Sequence, residues 1–241
     1  MTRIFALIML CLPFWTLAAT VELQHANIDS DDIAAQRRGF KAFQMHCASC
    51  HSTHFQRYQR VADDLGVPEA ELKQHMFTGA KPNDLIESAM TSEEAADWFG
   101  MAPPDLTMVS RVRGEDWVYT FLMSYYQDDK RPFGVNNLLS PYTNMPHVLQ
   151  HEQGLATANY AEDETPGLLS KKVTRLNLPS DGKLSEKEYA VLVHDITAYL
   201  AYAAEPVKAK REAIGRWVLL YLALFFVLAW LLKKEYWKDV H

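Results

Sequence analysis

The sequence predicts a mainly α-helical domain tethered to a membrane by one C-terminal helix, and three observations carry that prediction. Apolar residues recur at helical spacing in residues 29–46, 115–126 and 186–204, as they do where one face of a helix meets a core. Ser185 and Glu188 stand three apart at the head of the longest stripe, the spacing of a reciprocal capping box. Residues 217–232 form an uninterrupted apolar run, the composition that hydrocarbon selects. The chain has 241 residues, enough for one sizeable domain or two small ones. Its formal net charge of −6 disfavours nucleic acid and favours basic partners.

The elements follow in order. Residues 1–19 carry Arg3, an apolar run from residue 4 to 17, then Ala18 and Ala19, the layout of a secretory signal peptide. The segment has one Arg and no Ser, unlike a mitochondrial presequence, and Cys11 reads as an apolar leader residue rather than a lipidation site. Without this leader the chain holds 23 basic and 30 acidic residues, a net charge of −7. Asp29 or Ser30 is placed to cap the first helix, whose Ile33, Phe40 and Phe43 share a core face. Pro68 opens a short helix over residues 69–77, and Pro82 opens another to about Met90. Glu93, Glu94 and Asp97 make an acidic cluster that is either a solvated helix face or a dock for a basic partner. Residues 100–106, with Pro103 and Pro104, reverse the chain without a helix.

The third stretch, residues 115–126, sets Trp117, Phe121 and Leu122 toward a core. Residues 130–146 are rich in Pro, Gly and Asn and read as loop. Residues 150–183 read as a polar surface excursion with Glu162, Asp163 and Glu164 at its tip. Tyr189, Leu192, Ile196, Tyr199 and Leu200 then form the stripe that packs on the first helix, and Pro206 interrupts before a basic stretch. The apolar run of 16 residues gives about 24 Å of helix against a ~30 Å hydrocarbon core. Residues 213–215 close that gap if Arg216 snorkels. Trp217, Tyr221, Trp230, Tyr236 and Trp237 suit the interfaces, and Lys233-Lys234 mark the cytoplasmic end.

The chemistry centres on Cys47-Ala48-Ser49-Cys50-His51. Two thiols about one turn apart with an adjoining imidazole are the attachment signature of a c-type haem: the cysteines add to the vinyl groups and the histidine meets the iron. A thioredoxin-like dithiol needs a βαβ setting, which is missing around residues 47–51. A zinc knuckle needs a second ligand pair, and no cysteine follows residue 50. His51 fills one axial position, and His54, three residues on, stays on the same side. For the other position the residues leave alternatives open. Met145 and Met101 both lie in proline-bearing, non-helical segments that can aim a side chain, and His147 and His151 are further candidates. Met76, Met90, Met108 and Met123 sit in helical or apolar contexts, where methionine is ordinarily core filler.

Several ordered blocks together resemble the cytochrome c1 family, the haem subunit of quinol–cytochrome c oxidoreductase (the bc1 complex), in its bacterial type. They are Arg37-Arg38-Gly39-Phe40, the Cys47–His51 motif, Pro103-Pro104-Asp105-Leu106, Arg111-Val112-Arg113, Glu115-Asp116-Trp117-Val118, Pro141-Tyr142 with Met145-Pro146, and Tyr202-Ala203-Ala204-Glu205-Pro206. The resemblance covers nearly all of the chain after the leader. It implies a class I c-type cytochrome core with loop insertions and one covalent haem c on Cys47 and Cys50. It further implies His51 and Met145 as iron ligands, and an arginine on a haem propionate, for which Arg111 is the best match and Arg113 the second. The block around Met145 departs from eukaryotic members at His147, and the stretch between Asp128 and Pro141 is short.

The expected organisation is a signal peptide at 1–19, a periplasmic haem domain at 20–207, a basic juxtamembrane segment at 208–216, an anchor at 217–232 and a cytoplasmic tail at 233–241. The expected function is electron transfer at the bacterial inner membrane: from a Rieske iron–sulfur protein, beside cytochrome b, to a soluble or anchored cytochrome c. No nucleophile or general base is needed in this subunit. The alternative is a stand-alone anchored c-type cytochrome serving another oxidase or acting as a haem sensor.

Overall fold

The computed structural model describes residues 21–162, 171–177, 179 and 181–239; the expected leader and the Asp163-Glu164 part of the acidic tip lie outside them. Two helices organise the domain. Helix α1, Ile33–His46, is capped by Asp32, whose side chain accepts from the Ala35 N–H, rather than by Asp29 or Ser30. Ile33 is solvent-exposed, whereas Phe40 and Phe43 are fully buried. They meet Tyr199 of the long C-terminal helix of the domain at ring separations of 5.5 and 5.2 Å. Burial of each such ring stabilises by about 2–3 kcal/mol. The two helices can approach because Gly39 presents no Cβ to the Asp195 carbonyl. Beside the contact, Arg38 donates to both Asp195 carboxylate oxygens at 2.6 and 2.8 Å.

Between these helices the chain runs through small elements. Strand β1 (Thr53–Arg57) pairs antiparallel with β2 (Leu85–Ile86), with α2 (Tyr58–Leu65) and α3 (Glu69–His75) intervening. The helix expected to start at Pro82 is replaced by turns and β2, because this segment completes a ladder with β1. Helix α4 (Ser92–Phe99) carries the acidic cluster, but Glu94 is engaged in a capping box with Thr91. Helices α5 (Val109–Arg113) and α6 (Glu115–Met123) follow, separated by Gly114 at φ +97°. Helix α6 stops short of Tyr126 because Tyr125–Gln127 turns into β3, paired with β4 (Val135–Asn137) inside the expected loop.

A short α7 (Gln150–Gln153) and a hairpin, β5 (Thr157–Glu162) with β6 (Lys171–Asn177), give form to the expected surface excursion. Helix α8, Glu186–Ala204, starts at the predicted capping box of Ser185 and Glu188. Helix α9, Lys208–Tyr236, is longer than the apolar run: its 29 residues include the whole basic stretch, giving about 43 Å of helix. Among the described residues it is the one helix long and apolar enough to cross a membrane, and none of its residues is buried.

Candidate functional site

The turn after α1 is the first wall of the site. The Cys50 and His51 N–H groups both donate to the Cys47 carbonyl, at 3.1 and 2.9 Å, so the two sulfurs and the imidazole leave one tight turn. Cys47 is buried and Cys50 half-buried. Burial, with Cys50 nearby, pushes the Cys47 thiol up to about 12.

The segment with two prolines forms the second wall, and its role was not visible in the sequence. Proline lacks an N–H and resists helix, which leaves carbonyls free to point at neighbours. The Leu106 N–H donates to the Ser52 carbonyl at 2.9 Å, zipping this segment along the residues after the motif. Asp105 strengthens the zip: it accepts from the Ser52 hydroxyl at 3.0 Å and from the His54 and Thr107 N–H groups at 2.7 and 2.9 Å. Burial acts to raise its pKa, but these hydrogen bonds outweigh it and hold the carboxyl below the usual range. The result brings the Pro104 carbonyl 2.8 Å from His51 Nδ1. A carbonyl only accepts, so Nδ1 carries the proton and Nε2 keeps its lone pair. Burial lowers the His51 pKa, against smaller opposing effects of Pro104 and Asp105, which favours the neutral imidazole that a metal requires.

Facing this wall, α6 contributes Trp117 and Phe121, stacked at 5.1 Å with an angle of 10° between rings. Both pack against the core, as the sequence suggests, and also line a cleft. Together with Ile196 and Leu200 of α8, Met145 and Pro146, they enclose about 300 Å³ of mostly apolar space onto which Cys47, Cys50 and His51 open. Met145 and Met101 both line this cleft. They differ in setting: Met101 is 59 % exposed at the rim, whereas Met145 is part-buried against the core. His54 lies outside, exposed and beside Glu87. His147 is buried and stacks on Tyr125 at 4.7 Å, and burial lowers its pKa to about 4. His151 is exposed.

Arg111, the expected propionate partner, does not line the cleft. Its guanidinium donates to Glu205 at 2.9 Å on another face. Arg113 lines the cleft instead, with its guanidinium 5.1 Å from the Trp117 ring centre. Residues two apart on a helix diverge by about 200°, so α5 can send only one of the two inward. Among the described residues Arg113 pairs with no carboxylate. Two thiols, an imidazole with a free nitrogen, a thioether and a guanidinium line one apolar slot, and their chemistry fits a c-type haem.

A helical domain with this motif beside such a cleft, continued by a helix able to span a membrane, defines the class of anchored c-type cytochromes. Residues 24–240 match the Cytochrome C1 family. A cytochrome c1 from Allochromatium vinosum is 51% identical over 220 residues, 91% of this chain and 90% of the relative. The ammonia monooxygenase gamma subunit of Nitrosomonas europaea is 40% identical, covering 92% of this chain and 90% of the relative. A cytochrome c1 from Rhodospirillum rubrum is 28% identical, covering 85% and 81%. The chain belongs to the cytochrome c1 family, and is thereby a haem-bearing electron-transfer subunit with a membrane helix.

Proposed function

We propose that the chain is the cytochrome c1 subunit of a bacterial quinol–cytochrome c oxidoreductase, taking single electrons from a Rieske iron–sulfur protein and giving them to a soluble or anchored cytochrome c. In this reading residues 1–19 are a signal peptide, residues 20–207 lie in the periplasm, and α9 leaves Lys233 and Lys234 on the cytoplasmic side. The observation that carries the proposal is the convergence of Cys47, Cys50, His51 and Met145 on one apolar cleft with His51 Nδ1 tied to Pro104.

One covalently held haem c would supply a one-electron iron couple at that position. Cys47 and Cys50 would hold it through thioether bonds, and His51 Nε2 and the Met145 thioether would ligate its iron. A histidine–methionine pair would raise its potential and suit it to electron transfer. Arg113, rather than Arg111, would meet a propionate, with its fork suited to a carboxylate. Trp117, Phe121, Ile196 and Leu200 keep water from the slot. Glu93 and Asp97, both exposed on α4, give a basic acceptor a surface to approach.

The test is purification of the intact chain from solubilised membranes. Stoichiometric recovery of a b-type haem and a [2Fe–2S] centre supports the proposal; recovery of c haem alone sinks it. A second reading, service to a different redox complex, draws on the relative named ammonia monooxygenase gamma subunit. Co-recovery of a complex lacking the [2Fe–2S] centre would favour it.

A further inference from the structure

Residues 138–146 belong to the stretch that reads in sequence as loop, and their backbone is held at nearly every step. Asn137 is fully buried; its Oδ1 accepts from the Leu139 and Ser140 N–H groups at 2.9 and 3.1 Å, and its Nδ2 donates to the Phe121 carbonyl at 2.7 Å. The Asn136 Oδ1 accepts from the Tyr142 N–H at 2.8 Å. Tyr142 itself sits at φ +65°, a left-handed conformation that costs a non-glycine residue and needs support from its surroundings.

Asn136 supplies part of that support at the Tyr142 N–H, and Arg131 supplies the rest. Arg131 Nη2 reaches the Tyr142 carbonyl at 2.8 Å, Asn144 Oδ1 at 3.3 Å and the Thr143 carbonyl at 3.4 Å, and its guanidinium lies 5.5 Å from the Tyr142 ring centre. These are the three residues directly before Met145. On the far side the Tyr125 hydroxyl donates to the Met145 carbonyl at 3.3 Å, and the Tyr125 ring is clamped by the His147 stack. Met145 is thus gripped through the backbone on both sides, while its side chain stays free to face the cleft.

We propose that Arg131 and Tyr125 are positioning residues for Met145: they fix its backbone so that the thioether is presented to the cleft that His51 also lines, and His147, stacked on Tyr125, is the wedge that keeps it in place. The proposal rests on the reading of Met145 as an axial ligand. The backbone restraint raises the strength of thioether ligation because less conformational freedom is lost when the bond forms. The three acceptors converge on one Nη2 of a planar guanidinium that also lies over the Tyr142 ring, a placement that the compact ammonium and flexible stem of lysine do not reproduce.

The test uses the full-length haem-loaded chain in detergent and reads carbon monoxide binding to the reduced protein, together with the weak near-infrared absorption of a ferric haem–thioether bond. Met145→Leu is the reference: rapid carbon monoxide binding by this variant and far slower binding by the wild type support the ligand reading. Wild-type binding as fast as that of Met145→Leu removes that reading and the proposal with it. Given the reference, Arg131→Gln and Arg131→Lys are expected to bind carbon monoxide about tenfold faster than wild type, the equivalent of one charge-assisted hydrogen bond. Both are expected to show a weakened near-infrared band. Tyr125→Phe, which keeps the ring, gives a smaller increase and carries the test if the Arg131 variants do not fold. Wild-type behaviour in all folded variants overturns the proposal while sparing the ligand reading. Restoration by Arg131→Lys of what Arg131→Gln loses overturns it too, because charge and not the planar guanidinium would then be responsible.

Discussion

Replacing Gly39 with alanine tests the packing that positions the site. A Cβ at Gly39 would stand 1.8 Å from the Asp195 carbonyl oxygen, 2.5 Å from its carbon and 2.9 Å from Tyr199 Cβ. Ordinary contact begins near 3.4 Å, so α1 would have to withdraw from α8 by about 1.6 Å. Both obstacles are backbone or the root of a side chain, so rotamer change does not relieve the overlap. Withdrawal loosens the Phe40 and Phe43 contacts with Tyr199 and the Arg38–Asp195 fork. Overpacking of this kind costs up to about 3 kcal/mol, against about 1 kcal/mol gained from the better helix propensity of alanine. The net loss, about 2 kcal/mol, corresponds to a fall of roughly 4–8 °C in Tm for a chain of this size. Thermal unfolding of the purified haem-loaded chain, followed by circular dichroism, measures it. A variant as stable as wild type, or more stable, would refute the claim that Gly39 sets the α1–α8 distance.

Three further outcomes follow from named contacts. The Asp105 carboxyl is held below its ordinary range in the folded state, so it contributes stability above the unfolded value of about 3.9 that disappears as pH falls through the folded pKa. Asp105→Asn should flatten the stability–pH curve below about pH 4, read by urea unfolding across that range. Glu205 accepts from both Arg111 and Arg211, and Lys208 lies 3.2 Å from Glu115, a clasp between the domain and the head of α9. Glu205→Gln should broaden the distance distribution between spin labels at Val191 and Ile214, whereas an unchanged distribution would show that the clasp fixes nothing. Arg113→Leu should lower the haem potential in a redox titration by removing a positive charge from the cleft, and Arg111→Leu should change it less; the reverse order would restore Arg111 to the propionate.

The parts of the fold legible in the sequence are those written in local pattern. The α8 helix was readable because its stripe and its capping box agree, and the Cys47–His51 motif because its spacing is itself the chemistry. The segment after Pro82 misled because a proline-led start suits a helix or a turn equally, and only the β1 partner decides. Helix α6 ends three residues before its sequence pattern does, because Tyr125 and Tyr126 continue an apolar pattern while their backbone pairs with Asn137 and Asn136. Arg111 and Arg113 could not be separated by sequence, since which of them points inward depends on the phase of a five-residue helix. The Pro104–Asp105 block stands out in sequence but its role does not, because the work is done by a carbonyl and by contacts to Ser52 and His54, some fifty positions away. Residues 130–146 show Met145 but not what holds it, for the same reason: buried asparagines and one arginine order them through backbone contacts that leave no periodicity.

The central claim is that one covalent haem is closed on both faces by His51 and Met145. The most direct measurement is the absorption spectrum of the reduced, purified chain with and without carbon monoxide, for wild type and Met145→Leu, after confirming that the pigment stays with the unfolded polypeptide. The account predicts a wild-type spectrum that carbon monoxide leaves unchanged and a Met145→Leu spectrum that shifts promptly. Rapid binding by the wild type, or a Met145→Leu variant that still excludes the gas, would contradict it.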